Sequence, residues 1–224
     1  MVGYLAGALI CLTITHHTFF IKINPGKSRE LFGYLALFFG VICMLDFTSQ
    51  VSTGSELPIY VQKIALIIYP FAPFLIMLIP MNLYKPLQGS DMVKIMALPA
   101  IIGFFSFICG CITGAEQVTF QGIHFVKLIY NTEFYSTWLL LNFIPVIVMY
   151  YFFYKILKSP EARENNDFMK SANLLVFALT LIVVACYAFA IAEAVLGTPP
   201  LSSIGNAIGI SLAMAAFKLR GEQM

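Results

Sequence analysis

Long apolar stretches recur along the whole chain, and short polar or charged turns separate them. A helix needs about 20 predominantly apolar residues to cross a hydrocarbon core that is roughly 30 Å thick. The predicted fold class is therefore an all-α integral membrane protein, a seven-transmembrane-helix bundle with a short tail at 218–224. The predicted helices cover residues 3–21, 31–51, 58–81, 94–114, 135–157, 171–195 and 202–217.

Composition narrows the class of protein further. Hydrophobic residues make up 60% of the 224 residues and charged residues only 11%, whereas a soluble domain has about half and about a quarter. An ordinary soluble domain is thus excluded, and the lipid bilayer is the first partner to expect. The net charge of +2 comes from the loops, so it indicates no nucleic-acid partner.

The basic residues predict the orientation of the bundle. Lys and Arg in short loops are retained on the cytoplasmic side of a membrane. With seven spans, the 13 basic residues all fall in the loops and tail of one side, except for Lys63 and Lys127. We therefore expect the N-terminus outside and the C-terminus in the cytoplasm. The first apolar run lacks a preceding basic segment, so we interpret it as a retained span and not a cleaved signal peptide.

The outer connection 115–134, AEQVTFQGIHFVKLIYNTEF, alternates apolar and polar residues around Gln121 and Gly122. Such alternation is typical of a short hairpin, which would lie over the mouth of the bundle. An ordinary loop is the other interpretation, and the sequence leaves both open.

Two charged residues, Asp46 and Lys63, lie inside apolar runs. An ionisable group in hydrocarbon costs at least about 2.5 kcal/mol unless it finds a partner or water. Both lie about five residues from the outer ends of helices joined by a short turn, so both sit roughly 7–8 Å below the outer surface. We expect them to pair, directly or through one bridging group. Gln50 lies one turn from Asp46 and Gln62 adjoins Lys63, which predicts a polar cluster at this depth.

Other predicted helices place polar and aromatic residues at the same depth. Tyr135, Trp138 and Asn142 fall at i, i+3 and i+7, on one face of the fifth helix. Each residue alone has a structural interpretation, as a register-fixing pair, an interfacial anchor or a snorkelling side chain. Together they favour a binding cavity in the outer half of the bundle. The candidate ligand-binding residues are Asp46, Gln50, Gln62, Lys63, Tyr135, Trp138, Asn142, Tyr187, Glu193 and Asn206.

Prolines and small residues predict where the helices bend and where they pack closely. A proline inside a helix frees a backbone carbonyl and permits a kink. Gly205, Gly209 and Ala213 recur every four residues in the last helix, a spacing that supports close helix packing. The prolines inside predicted spans are Pro70, Pro73, Pro80, Pro99 and Pro145.

Motifs of catalysis and metal binding are missing from the sequence. It contains no Gx[ST]xG nucleophile motif, no HExxH, and too few histidines for a di-iron enzyme, with only His16, His17 and His124. The five cysteines fall in or at the ends of apolar spans and are interpreted as buried hydrophobes. We expect no catalytic residues, no metal, no cofactor and no enzymatic activity.

The second helix and the turn after it lead into a proline-containing third helix with a basic, aromatic end, LDFTSQVSTGSELPIYVQKIALIIYPFAPFLIMLIPMNLYK. The fifth helix opens with TEFYSTW, and the last helix follows prolines in GTPPLSSIGNAIGISLAMAAFKLR. In these features nearly the whole chain resembles the seven-helix N-terminal sensor region of bacterial membrane histidine kinases. Family members continue into a PAS, kinase or cyclase output module, whereas this sequence stops at Met224.

The resemblance implies a sensor in the bacterial cytoplasmic membrane. The expected function is a receptor that binds a small-molecule or lipid-like ligand in the outer half of the bundle. Its last helix would pass the signal to a cytoplasmic histidine kinase or other module, in cis or in trans, and a homodimer is a further candidate assembly. The alternative is a small-molecule transporter that uses the same polar site. Transporters usually place that site near the midplane between repeated halves, so the off-centre layer favours the receptor.

Overall fold

The helices of the protein form a bundle that carries a two-stranded β-hairpin at one end. The computed structural model describes residues 2–21, 26–52, 56–109, 112–120, 123–196 and 202–221. The helices are α1 (Val2–His16), α2 (Lys27–Val51), α3 (Glu56–Ile68), α4 (Phe71–Tyr84), α5 (Gly89–Ile108), α6 (Thr132–Leu157), α7 (Pro160–Glu164), α8 (Asn166–Leu196) and α9 (Ser202–Gly221). A π-helical turn, His17–Ile21, continues α1, and the strands are β1 (Ile112–Phe120) and β2 (Ile123–Tyr130).

Five helical segments within the described ranges, counting α3 and α4 together as one, are long and apolar enough to cross a membrane. The other two predicted spans, 3–21 and 202–217, are helical in α1 with its π-helical turn and in α9. Many large apolar side chains, such as Phe104, Ile147 and Val195, are more than half exposed on the outside of the bundle. In a bilayer, lipid tails cover such side chains, whereas in water they would form a large exposed apolar surface.

The predicted third span consists of two helices with a break at Tyr69 and Pro70. Proline has no backbone N–H to donate to the preceding turn, so α3 ends at Ile68 and α4 begins at Phe71. The expectation that proline interrupts this span is therefore confirmed. Pro80 lies inside α4 without ending the helix.

The hairpin interpretation of residues 115–134 is confirmed for the part of the loop that the structure describes. β1 and β2 pair antiparallel, with a register irregularity between Ile112 and Gly114. Glu116 faces Lys127 across the ladder, and their side chains form an ion pair of 3.7 Å. The predicted turn at Gln121 and Gly122 lies outside the described residues.

The hairpin also corrects two predictions. The fold is not purely α-helical, and the fourth span does not reach residue 114, because α5 ends at Ile108 and β1 begins at Ile112. Hydropathy extended the span because Ile112 is as apolar as the helix before it. The β-branched Ile112 and Thr113 fit a strand well, and Ile112 is buried against Leu66 and Leu128.

The bundle is densely packed from its middle to the end away from the hairpin. Fully buried side chains from α2, α4, α6, α8 and α9 meet there in one continuous core. Its largest members are Phe32, Phe39, Phe153, Leu35, Leu75, Leu78, Ile79, Met149, Leu179, Ile182, Ile210 and Val146. This core supports the cavity that lies nearer the hairpin.

Close packing of α9 on α8 depends on glycine, as the small-residue spacing predicted. A Cβ atom added at Gly205 would lie 2.3 Å from Ala185 Cβ, and one at Gly209 would lie 2.4 Å from Ile182 Cγ1. On the other side of the bundle, a Cβ atom at Gly103 of α5 would lie 2.4 Å from the backbone oxygen of Ile67 in α3. Any larger residue at these positions must push two helices apart.

Candidate ligand-binding site

A cavity of about 110 Å³ lies under the hairpin, between α3, α4, α6, α8 and α9. Space of this size holds several water molecules or a small ligand group. Most of its lining is apolar or aromatic, and none of the described side chains in the lining is charged. Six of the predicted site residues line it: Gln62, Tyr135, Trp138, Asn142, Tyr187 and Asn206.

Asp46 lies in α2, directly behind side chains that line the cavity, and 6% of its surface is exposed. Its Oδ1 atom accepts hydrogen bonds from Gln62 Nε2 at 2.8 Å and from the Tyr69 hydroxyl at 3.1 Å. Gln62 and Tyr69 also line the cavity. The carboxyl group therefore fixes the position of two cavity side chains and does not itself form part of the described lining.

Lys63 does not form the predicted direct pair with Asp46. Among described residues, ion pairs join Lys127 to Glu116 and Lys170 to Asp167. Consecutive residues on a helix point about 100° apart, so a rotation of α3 that aims Gln62 at Asp46 turns Lys63 away. Lys63 is partly exposed and is absent from the cavity lining. Of the two predicted arrangements, a direct pair or a bridged one, the direct pair was wrong, because equal depth does not fix which side chain faces inward.

A row of aromatic rings forms the wall of the cavity nearest the hairpin. Tyr130 of β2 stacks on Tyr135 of α6 with ring centres 4.4 Å apart. Tyr135 stacks on Trp138 at 6.1 Å, and Tyr69 meets Trp138 edge to face at 6.0 Å. Aromatic contacts of this kind contribute about 0.5–1.5 kcal/mol each beyond their burial. The indole of Trp138 is thus held between two tyrosines.

Two polar atoms in this wall have no hydrogen-bond partner among the described residues. They are Trp138 Nε1 and Asn142 Oδ1, and both are buried. The amide of Asn142 is otherwise fixed, because its Nδ2 donates to the backbone oxygen of Trp138 at 2.8 Å. A buried donor or acceptor without a partner costs about 1–3 kcal/mol. One unmet donor and one unmet acceptor, four residues apart on α6, face a cavity that could hold their partner.

The opposite wall comes from α8 and α9. Cys186 Sγ donates to Asn206 Oδ1 at 3.2 Å, which joins the two helices at the level of the cavity. Tyr187 packs edge to face on Phe143 with ring centres 5.4 Å apart. A molecule in the cavity would therefore contact α9 through Asn206, the fourth residue after the start of that helix at Ser202.

Gln50 serves the hairpin and not the cavity lining. Its Nε2 donates to the backbone oxygen of Val126 at 3.0 Å, and its Oε1 accepts from the backbone N–H of Val126 at 2.8 Å. These two bonds tie β2 to the end of α2 and hold the hairpin over the cavity. The remaining predicted site residue, Glu193, lies in α8, but its side chain lies outside the described residues.

Sequence reasoning missed two aromatic members of the site, Tyr69 and Tyr130. A signal for Tyr69 was present, because Gln62, Leu66 and Tyr69 fall at i, i+4 and i+7 on one face of α3 and its terminal turn. All three line the cavity. Tyr130 carried no such signal, since only the tertiary position of β2 brings it to Tyr135.

The polar groups that line this site can donate and accept hydrogen bonds. They are amides, phenols, an indole, one thiol and the Ser202 hydroxyl, and the Asp46 carboxyl group behind them is already engaged. Within the described residues, no group of three His, Cys, Asp or Glu side chains is arranged to hold a metal ion.

The sequence matches no protein-family model, and comparison with curated proteins finds no significant similarity. The assignment of this site therefore rests on its geometry.

Proposed function

We propose that the protein is a membrane receptor that binds a small or amphiphilic ligand in the cavity under the hairpin. The observation that carries the proposal is the pair of unmet polar atoms, Trp138 Nε1 and Asn142 Oδ1, in the cavity wall. A protein that retains such atoms gives up stability, which is expected where a ligand supplies the missing partners. In this proposal seven helices cross the bacterial cytoplasmic membrane, with the N-terminus and the hairpin outside.

The packing beyond the cavity supports a receptor over a transporter. The cavity extends from the hairpin to about the middle of the helices, where Phe39, Val146 and Val183 line it, and a buried core that includes Leu78, Met149 and Phe153 fills the bundle beyond. A transporter must open its site alternately to both sides of the membrane. To open this cavity to the far side, the protein would have to separate that whole core, which is close-packed like other protein interiors.

Helix α9 is the proposed path of the signal. Asn206 of α9 lies at the cavity. At the far end of the helix, the backbone oxygen of Ala216 accepts from Ser171 Oγ at 2.8 Å, and Phe217 packs on Phe32 with ring centres 5.2 Å apart. A ligand that displaces Asn206 shifts α9 against α8 and α2. A cytoplasmic histidine kinase or other module then changes its activity in response to this shift. A second copy of the chain is a further candidate partner.

A flux assay separates the two functions. Compounds that raise the thermal unfolding midpoint of the purified protein are first collected, and their uptake into liposomes that contain the protein is then measured. The receptor predicts stabilisation without uptake above that of protein-free liposomes, because the packed core stays closed. Saturable uptake of a stabilising compound would show a transporter.

A further inference from the structure

The cavity has a neighbour on the outside of the bundle. A groove of about 740 Å³ lies between α5 and α6, where α5 packs on α3 and α4. Trp138 lines both the groove and the cavity. Its indole is therefore the wall between the interior of the bundle and a surface that faces the hydrocarbon of the membrane.

The groove offers almost only apolar surface. Two hydroxyl groups lie in its lining, but Ser106 Oγ donates to the backbone oxygen of Ile102 at 2.7 Å, and Thr137 Oγ1 donates to that of Glu133 at 2.9 Å. Both donors are thus engaged within their own helices. Lys94, near the start of α5, is the charged residue among the described lining side chains. Next to Trp138 the groove suits a hydrocarbon chain.

The cavity on the other side of Trp138 requires a polar group, in contrast to the apolar groove. It contains the unmet acceptor Asn142 Oδ1, on a side chain that is 3% exposed, and the unmet indole donor of Trp138. None of the described lining side chains is charged, and the carboxyl group of Asp46 behind the lining is already engaged by Gln62 and Tyr69. An ionic head group would therefore find no free counter-charge in the lining, at a high cost. The group that fits is neutral and both donates and accepts a hydrogen bond.

We propose that the groove and the cavity together form one binding site for an uncharged single-chain amphiphile taken from the bilayer. Its chain lies in the groove between α5 and α6. Its small head group passes Trp138, accepts from the indole N–H and donates to Asn142 Oδ1. This inference rests on the proposed receptor function and names the chemical class of the ligand.

Affinity in such a site comes from the head group. Moving a hydrocarbon chain from lipid to an apolar groove changes its free energy little, because both surroundings are equally apolar. The hydrogen bonds contribute more free energy, because without a ligand the two buried protein atoms remain unsatisfied. Binding should therefore depend on the head group more than on the chain.

The single tryptophan of the sequence, Trp138, makes the proposal testable by fluorescence. The purified protein is reconstituted in phosphatidylcholine vesicles, and its emission is quenched with a long-chain primary alcohol brominated along its chain. The matched probe is the same brominated chain without the hydroxyl group. We expect saturable quenching by the alcohol at a mole fraction about tenfold lower than for the alkane, since one or two hydrogen bonds of about 1.4 kcal/mol in total give that ratio.

Three variants locate the effect. Asn142→Leu should remove the advantage of the alcohol over the alkane, and Thr137→Phe, which fills the groove beside Trp138, should weaken quenching by both probes. Ile147→Phe is the control, because Ile147 is exposed on α6 but lies outside the lining of the groove and of the cavity.

Equal quenching of the unaltered protein by the alcohol and the alkane would overturn the amphiphile site, even if Thr137→Phe proved unstable. In that case, stabilisation by water-soluble compounds that Asn142→Leu abolishes would still support the receptor. If neither the alcohol nor any water-soluble compound acts through Asn142, both proposals fail.

Discussion

Replacement of Gln62 by leucine is expected to lower the free energy of unfolding by about 3 kcal/mol. Gln62 Nε2 donates to Asp46 Oδ1 at 2.8 Å, and both residues are 6% exposed. Without Gln62 the buried carboxyl group keeps the hydroxyl of Tyr69 as the described donor to that oxygen. Leucine occupies the place of Gln62 without supplying a donor to the buried carboxyl group.

The double variant with Asp46→Leu and Gln62→Leu should recover most of this loss, because a buried polar pair replaced by apolar side chains is often nearly neutral. The measurement is the unfolding free energy in a mixed-detergent titration, for both single variants and the double variant. Lys63→Met is the matched control, one residue along α3, and should change stability by at most about 0.5 kcal/mol. A cost for Lys63→Met equal to that for Gln62→Leu would restore the ionic partner predicted from the sequence.

Gly205→Leu is expected to cost about 2–3 kcal/mol and to disturb the cavity at the same time. A Cβ atom at this position would already lie 2.3 Å from Ala185 Cβ, and an alanine Cβ cannot move without its backbone. Helix α9 must therefore move away from α8. Asn206 follows Gly205 directly, so its 3.2 Å bond with Cys186 should break.

Thermal unfolding with and without a stabilising compound measures both effects of this substitution. The unfolding midpoint should fall, and the stabilisation by the compound should fall with it. Ser211→Leu is the matched control, because Ser211 is exposed on the same helix and should tolerate leucine in a lipid or detergent environment. If Gly205→Leu unfolded at the temperature of the unaltered protein, the close contact between α8 and α9 would be refuted.

Hydropathy located most of the architecture because the bilayer imposes a length on every spanning helix. Helical segments coincide with each predicted span, and the mistakes lie at boundaries such as Ile112, where a strand is as apolar as a helix. The break after Ile68 was foreseeable from Pro70, since a proline in mid-span removes a backbone donor. The alternation in 115–134 indicated the hairpin but could not decide between it and a loop.

The sequence predicted how far along each helix the site residues lie, but not which of their side chains face the cavity. Asp46, Trp138 and Asn142 were found because polar residues inside apolar helices need a partner. Depth along a helix follows from residue number, whereas the direction of a side chain also requires the rotation of each helix. That rotation decided between Gln62 and Lys63, and it depends on packing across the whole bundle. The role of Gln50 likewise required the position of β2, which only the tertiary structure gives.

If the cavity beside Asn142 is the receptor site, the variant Asn142→Leu should lose ligand binding without losing stability. The unmet Oδ1 atom is a cost to the unliganded protein, so its removal should leave the unfolding midpoint unchanged or raise it. A compound at 100 times its dissociation constant adds about 2.7 kcal/mol to a protein that binds it only when folded. We predict that Asn142→Leu abolishes this stabilisation, and that the same compounds change the emission of Trp138 in the unaltered protein. A variant that is less stable when unliganded, yet is stabilised by the same compounds to the same extent, would contradict the claim.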